Sequence, residues 1–549
     1  MKKNLFRTLV AAMAVFVASC TSEGNGGGET ALNPNFDINP AKPAAGASVS
    51  FQSTTTGGSG NYTYKWTVDN KVQSETSGLL TYTFKTGGAF VVRLDVTDGS
   101  GKSAYKRKTV VVAAPAVAET GELTLNWLGK MMGYSTISTP AIADDGSIYS
   151  TCRNGKLYKW STTGSSVWER EIWKESTAVS GYGTPVIDTD GTIFISGGDG
   201  GTGNGVLKAF AANGTEKWKF TEWYRADGST PAPSCTATLP SLGTTNLYFG
   251  HTGQNGIVAS INKATGKRNG FAAPAGGARQ GIALTSTGKI AWMGGTFGLF
   301  GMSTATIDNS GSAPMQHTWR IFGDGVEKST QNPMGGMALT KIDGKYYICG
   351  IATDERGTKV YAVSMDNGEA LSVTYIEDTE AQDQGGVVID ADGNIVAALN
   401  NTLGSANGGV VVVNPKNGQV VCRYRTAEKV SGSPAIDKAG NIHFGTESGY
   451  YYVVNPEGSD CELLVKRNLA DIILADSRYK NETHLSKLYT AKIWCSPVIG
   501  DDGKIFITFT DDETRAFGGL VCLSYAGCKG PAASNWPMYG QNRRHTNTF

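Results

Sequence analysis

One phrase constrains this chain more than any other: a short apolar strand, a tight turn and a second apolar strand, repeated through the last four-fifths of the sequence. It reads STPAIADDGSIYSTC from Ser138, GTPVIDTDGTIFISG from Gly183, QGIALTSTGKIAWMG from Gln280, GGMALTKIDGKYYICG from Gly335, GGVVIDADGNIVAAL from Gly385, GSPAIDKAGNIHFGT from Gly432 and CSPVIGDDGKIFITF from Cys495, with a weaker copy, CTATLPSLGTTNLYFGH, from Cys235. The copies are spaced by about fifty residues, a period at which one supersecondary unit repeats and buries its faces only against its neighbours.

Each copy is followed by a second pair of strands around another turn, as in GVLKAFAANGTEKWKF (Gly205 to Phe220) and GGVVVVNPKNGQVVCRY (Gly408 to Tyr424). Four strands per unit at this period predict the blade of a β-propeller, because solenoid repeats are shorter or helical. The Asp-Gly and Asn-Gly pairs supply the positive φ that two-residue hairpins need. DTDG and DADG echo a calcium loop, yet they lack the remaining loop ligands and the terminal Glu, so they read as turns. A propeller removes its exposed strand edge by completing one blade from both ends of the chain. The segment Leu123–Leu128 has an outer-strand pattern with no inner strands before it, and the repeat from Cys495 has a poor outer strand, so the first is expected to complete the second.

These repeats resemble the PQQ-like family of eight-bladed propellers. Its outer-strand signature, ending in a docking Trp, is matched in part by AFAANGTEKW ending at Trp218, STTGSSVW ending at Trp168 and SINKATG at Ser260 to Gly266; the terminal SNWPMYGQNRRHT (Ser534 to Thr546) is similar to a segment common in the family. Gly270 and Cys422 hold the docking position elsewhere, which leaves the Trp girdle incomplete. The resemblance covers residues 121–549 and implies an all-β, eight-bladed propeller. It also raises a quinoprotein dehydrogenase, which would need a calcium held by carboxylates and amides, a general-base Asp and, in the alcohol dehydrogenases, an adjacent Cys-Cys pair. The sequence has no adjacent cysteines and no carboxylate outside a turn context to nominate as base. The reading is therefore not an enzyme, with no catalytic residues, no cofactor and no metal; the five histidines (His251, His317, His443, His484, His545) are scattered without zinc-site spacing.

Ahead of the repeats, residues 1–20 form a basic n-region (Lys2, Lys3, Arg7), an apolar run from Leu9 to Ala18, and Val17-Ala18-Ser19-Cys20. This ending resembles a bacterial lipobox, which implies cleavage before Cys20 and lipid on that residue, the only membrane contact expected. Residues 21–35 are polar and Gly-rich, a flexible tether. Residues 36–113 alternate as SVSFQS, YTYKWTV, LTYTF, AFVVRLDVTD and KRKTVVV, the pattern of a β-sandwich. The run Tyr82 to Val112 looks like the second half of a PKD domain, an immunoglobulin-like module, with Trp66 as its core Trp. The turn after Trp66 departs from that family, so spacer is the role it implies.

Lys plus Arg number 49 against 48 Asp plus Glu, a formal charge of +1, so no global field favours nucleic acid or an anionic membrane. Apart from Cys20 there are eight cysteines in an exported chain, where thiols oxidise; Cys522 and Cys528 are close enough to pair across a turn, or to stay as buried thiols.

Binding remains. The connections from one blade's outer strand to the next blade's inner strand all emerge on one face, and they vary most in length: residues 172–183, 221–235, 321–333, 376–384 and, longest, 469–494. Insertions concentrated on one face of a repeat protein mark a working face. They carry Trp173, Tyr182, Trp223, Tyr224, Arg225, Tyr479, His484, Tyr489 and Trp494, side chains suited to stacking on sugars or on partner residues. Two ligand classes follow: polysaccharide, for an outer-membrane lipoprotein facing the cell surface, or an envelope protein, for a scaffold similar to the propeller lipoprotein of outer-membrane protein assembly.

Overall fold

The computed structural model describes residues 30–549 other than 70, 86, 113–117, 133–137, 153, 173–182, 199–204, 221–238, 251–257, 273–280, 287, 297–298, 307–315, 323–335, 355–356, 378–384, 400–407, 427, 459–460, 481, 483–484, 486–487, 489 and 512–516. Its first part is two facing antiparallel sheets. One holds Phe36–Asn39, Ser48–Ser53 and Leu79–Thr83; the other holds Lys71–Val72, Thr63–Val68, Gly88–Thr97 and Ser103–Val112. Alternation in the sequence places Phe36, Val49, Phe51, Trp66, Leu80, Val92 and Leu94 between them, all buried. The Trp66 indole N–H donates to Ser77 O at 2.9 Å, which satisfies the polar end of the largest core side chain.

Residues 121–549 fold into successive antiparallel sheets, numbered here in chain order. Sheet 1 (Ala141–Ile142, Ile148–Cys152, Lys156–Trp160, Ser166–Glu171) and sheet 2 (Val186–Ile187, Ile193–Gly198, Gly205–Phe210, Glu216–Phe220) set the plan of four strands in sequence order. Sheets 3 (241–272), 4 (282–322), 5 (338–377), 6 (387–426) and 7 (435–468) repeat it. In sheet 8 the chain supplies Ala491–Lys492, Val498–Ile499, Lys504–Asp511 and Phe517–Ser524, and the outermost strand is Thr124–Met132, from the other end of the unit. The expected closure therefore occurs. No sheet closes on itself as a barrel among the described residues.

Neighbouring sheets dock at one recurring register, beside the bulge in each outer strand. Trp127, Trp168 and Trp218 stand there, and each indole N–H donates to a carbonyl in the outer turn of the next sheet: Thr162 O at 3.0 Å, Ala212 O at 3.2 Å and Lys263 O at 2.8 Å. The turn must present a bare backbone to the ring. A Cβ on Gly266, whose φ is +69°, would lie 2.6 Å from the Trp218 indole.

Cys422 occupies the same register in sheet 6 and forms a disulfide with Cys461 in the outer turn of sheet 7. A covalent bond thus stands where an indole stands elsewhere. The pairing of Cys522 with Cys528 is not formed: both are buried free thiols. Cys522 points into the strand pairing with Thr124–Met132, where the Asn126 amide lies 3.5 Å from its sulfur.

The longest insertion is also partly structured. Asn468 caps a short helix, Leu469–Ala475, by accepting from Ala470 N, and Leu469 and Ile473 bury against the core of sheet 8 together with Leu485 and Leu488. Beyond the helix, Arg478 donates to Asn126 O at 2.7 Å and Leu125 O at 3.0 Å, and Leu128 N donates to the Tyr479 hydroxyl at 3.0 Å. These groups cover the backbone edge that Thr124–Met132 would otherwise expose.

Candidate functional site

The inner strands open with Ser-Pro or Thr-Pro in four sheets, and the hydroxyls form a relay around the centre. Thr139 N donates to Thr184 Oγ1 at 3.2 Å, Ser496 N to Thr139 Oγ1 at 3.2 Å, Ser433 N to Ser496 Oγ at 2.8 Å and Gly336 N to Ser433 Oγ at 3.3 Å. Proline, which has no N–H to leave unpaired, suits the first residue of a strand that faces the centre. The Ser-Pro and Thr-Pro dipeptides were the sequence signal for this relay.

The chain from residue 534 onward crosses the other end of the inner strands, beside their turns. Ile142 N donates to Arg543 O at 2.8 Å, Ile187 N to Arg544 O at 2.9 Å, Leu242 N to Thr546 O at 2.9 Å, Leu284 N to Asn547 O at 3.1 Å, Ile389 N to Trp536 O at 2.8 Å and Ile436 N to Pro537 O at 2.8 Å. One strap therefore bonds sheets 1, 2, 3, 4, 6 and 7. From it, the Tyr539 ring packs against the core shared by sheets 2 and 3 and sits where a Cβ on Gly336, in the chain leading into sheet 5, would be 2.7 Å away. Only glycine admits the ring at that position.

His545 of the strap has φ +58° and is fully buried; Nδ1 lies 3.0 Å from Pro185 O and Nε2 has no partner. Burial lowers its pKa from the ordinary 6.5 to about 4, against a smaller opposing effect of the Pro185 hydrogen bond. Because the folded state binds this proton less readily than the unfolded one, its effect on stability favours folding above pH 6.5 and is lost as the pH falls towards 4. A His545→Asn variant, which tolerates the same φ, is expected to show a shallower fall in melting temperature between pH 6.5 and 4.5 than the parent chain; parallel curves would contradict this assignment.

On the opposite face, among the expected binding residues, Trp494 and Tyr479 are described and are not brought together. Tyr479 covers the outer edge of Thr124–Met132. Trp494 lies at the inner side of sheet 8, half-buried, with Lys492 Nζ 4.4 Å over its ring. Lys492 is 3.4 Å from Glu447 Oε2, and the Ser431 hydroxyl donates to the other oxygen of that carboxylate. Beside it, Glu428 accepts from the Tyr452 hydroxyl at 3.0 Å and pairs with Lys466 at 3.5 Å, while Lys466 stands 4.5 Å over Tyr450. Burial, then the Glu428 charge, pushes Tyr424 next to this pair up to about 12. Trp173, Tyr182, Trp223, Tyr224, Arg225, His484 and Tyr489 lie outside the described residues.

The sandwich docks on this same face. Arg425, at the end of sheet 6's outer strand, pairs with Asp69 at 2.9 Å and lies 4.1 Å over the Phe90 ring.

Residues 66–291 match the family described as outer membrane protein assembly factor BamB, a match that begins inside the sandwich. Among solved structures, a europium-containing methanol dehydrogenase aligns with a TM-score of 0.54 at 13% identity over 73% of this chain and 93% of that chain. The quinohemoprotein alcohol dehydrogenase from Comamonas testosteroni aligns at 0.53 and 11% identity over 73% of this chain and 76% of that one. The fold is a β-propeller of PQQ-like repeats. BamB from Moraxella catarrhalis aligns at 0.46 and 11% identity over 72% of this chain and 99% of that one. No curated protein matches the chain. At these identities the likeness establishes the fold alone.

The fold family implies a quinone and a calcium ion, and the described residues of this propeller do not fit them. Tyr539 packs directly on Gly336, the Ser and Thr hydroxyl oxygens of the relay accept bonds between sheets, and the cysteine pair of the alcohol dehydrogenases has no counterpart. Among the described residues, the group of three metal-ligand side chains that come together is Asp437, His443 and Cys528, beside a turn of sheet 7.

Proposed function

We propose that the protein is a non-catalytic binding propeller of the cell envelope, a closed ring of eight blades held at the outer membrane by lipid on Cys20. The PKD-like sandwich, residues 36–113, acts as a spacer between the tether and the propeller. The observation that carries this reading is the strap: it bonds sheets 1, 2, 3, 4, 6 and 7 on the turn side, and the opposite face, with its long connections, is the side we assign to a ligand. No helix among the described residues is long and apolar enough to cross a membrane, in keeping with anchorage by lipid.

Polysaccharide is the ligand suited to the half-buried Trp494 ring beside Glu447 and Ser431, since an indole stacks on a sugar face while carboxylate and hydroxyl groups take its hydroxyls. A second reading, an envelope protein as partner, draws on the family description that matches residues 66–291. Affinity electrophoresis of the full-length protein through gels containing soluble polysaccharides distinguishes them. Retardation by one glycan, lost in Trp494→Ala, supports glycan binding at the cell surface. If no glycan retards the chain and crosslinking in cells joins it to outer-membrane β-barrel proteins, the scaffold reading replaces it.

A further inference from the structure

Three buried side chains from two sheets meet beside the turn of sheet 7. Asp437 and His443 belong to that sheet, and Cys528 follows the last strand of sheet 8; one ligand atom of each lies within 4.8 Å of the others. His443 Nε2 is 3.0 Å from Asp437 Oδ2, and Nδ1 is 3.0 Å from the Tyr451 hydroxyl. The Tyr525 ring stands edge-on to the imidazole at 6.0 Å.

The repeat itself does not call for this group. In sheet 6 the same turn is built by Asp390 and Asn394 with the same hydrogen bonds, and Val396 stands where His443 stands here. Opposite the inner strand, the register of His443 across from Ala435 is filled by Tyr149 in sheet 1, Phe194 in sheet 2 and Phe506 in sheet 8. An imidazole in a position that packing fills with apolar groups carries a desolvation cost, which calls for a return beyond the turn.

We propose that Asp437 Oδ2, His443 Nε2 and Cys528 Sγ bind a zinc ion, with Tyr451 orienting the imidazole. In the tautomer this requires, Nδ1–H donates to the Tyr451 oxygen and the Nε2 lone pair faces the metal, the usual support of a ligating histidine. Zinc bonds of ~2.0–2.3 Å at tetrahedral angles hold ligand atoms roughly 3.3–3.8 Å apart, a spacing that ligand atoms lying within 4.8 Å of one another reach by small side-chain adjustments. Mixed thiolate, imidazole and carboxylate donors select zinc over magnesium or calcium. Three protein ligands leave a fourth position for water.

Coordination displaces the Cys528 thiol proton to solvent. This goes beyond the sequence expectation of no metal, which rested on the spacings of cysteines and histidines along the chain and could not see a cysteine brought from another sheet.

The test uses the full-length protein, stripped with a chelator, dialysed against zinc and analysed for metal, then titrated with cobalt(II) as a spectroscopic substitute. One zinc retained per chain and a thiolate-to-cobalt charge-transfer band, lost in Cys528→Ser and kept in the buried-thiol control Cys495→Ser, are the expected results. A wild-type chain that keeps no zinc and shows no band overturns the proposal, as does a band of equal strength in folded Cys528→Ser. Should that variant fail to fold, wild-type stoichiometry and band still decide.

Discussion

Deleting residues 534–549 is expected to abolish the cooperative unfolding of the propeller. The deletion removes the six strap bonds to sheets 1, 2, 3, 4, 6 and 7, a seventh from Phe549 N to Leu284 O, and the fully buried Trp536. Each backbone bond contributes roughly 1 kcal/mol net, and deleting a buried indole costs about 3–5 kcal/mol. The sum is on the order of 10 kcal/mol, comparable with the roughly 5–15 kcal/mol that holds an ordinary domain folded. Calorimetry and limited proteolysis would show it as loss of the transition and rapid cleavage within sheets 1 to 7. A truncated chain that melts within a few degrees of the parent would mean that the sheets hold each other without the strap.

The second large effect is expected from Cys422→Ala. Cys422 and Cys461 are separated by 39 residues, and opening a loop of that size costs about 4 kcal/mol in the chain-entropy account. Sheet 6 has no indole at this register to take over the contact with sheet 7, so the substitution leaves that junction with neither device. Denaturant unfolding should show a lower midpoint under oxidising conditions, and reductant should bring the parent chain down to the same value. If reductant leaves the parent unchanged, the bond contributes nothing to stability.

How much of this was legible in the sequence depends on the range of each interaction. The hairpin turns were written locally: Gly191 and Gly393, read from DTDG and DADG, have φ of +79° and +83°. Closure by Thr124–Met132 was legible because an orphan outer strand and an incomplete last repeat call for each other. Partners across sheets were not, since period fixes the position of a residue in its own sheet but not what faces it. Thus Cys422 was placed at the docking register and yet left without Cys461, although Cys461 lies in the outer turn of the following sheet, where Trp218 in sheet 2 finds Lys263 in sheet 3. The group of Asp437, His443 and Cys528 carries no spacing signal at all. Among the binding candidates, Tyr479 read as a loop aromatic because its insertion is long, and the helix at Leu469–Ala475 hides in that length.

The bond between Asn126 and Cys522 joins positions 396 apart, and the strap bonds between Arg543 and Ile142 join positions 401 apart. Such contacts form late, because the loop-closure entropy of the whole intervening chain must be met before they contribute. A nascent chain therefore holds its early sheets with one open edge and without the strap until the last residues arrive. For this protein the hazardous interval is its assembly, when proteases and aggregation compete with closure, and quality control acting on the final few residues would decide the yield of the whole molecule.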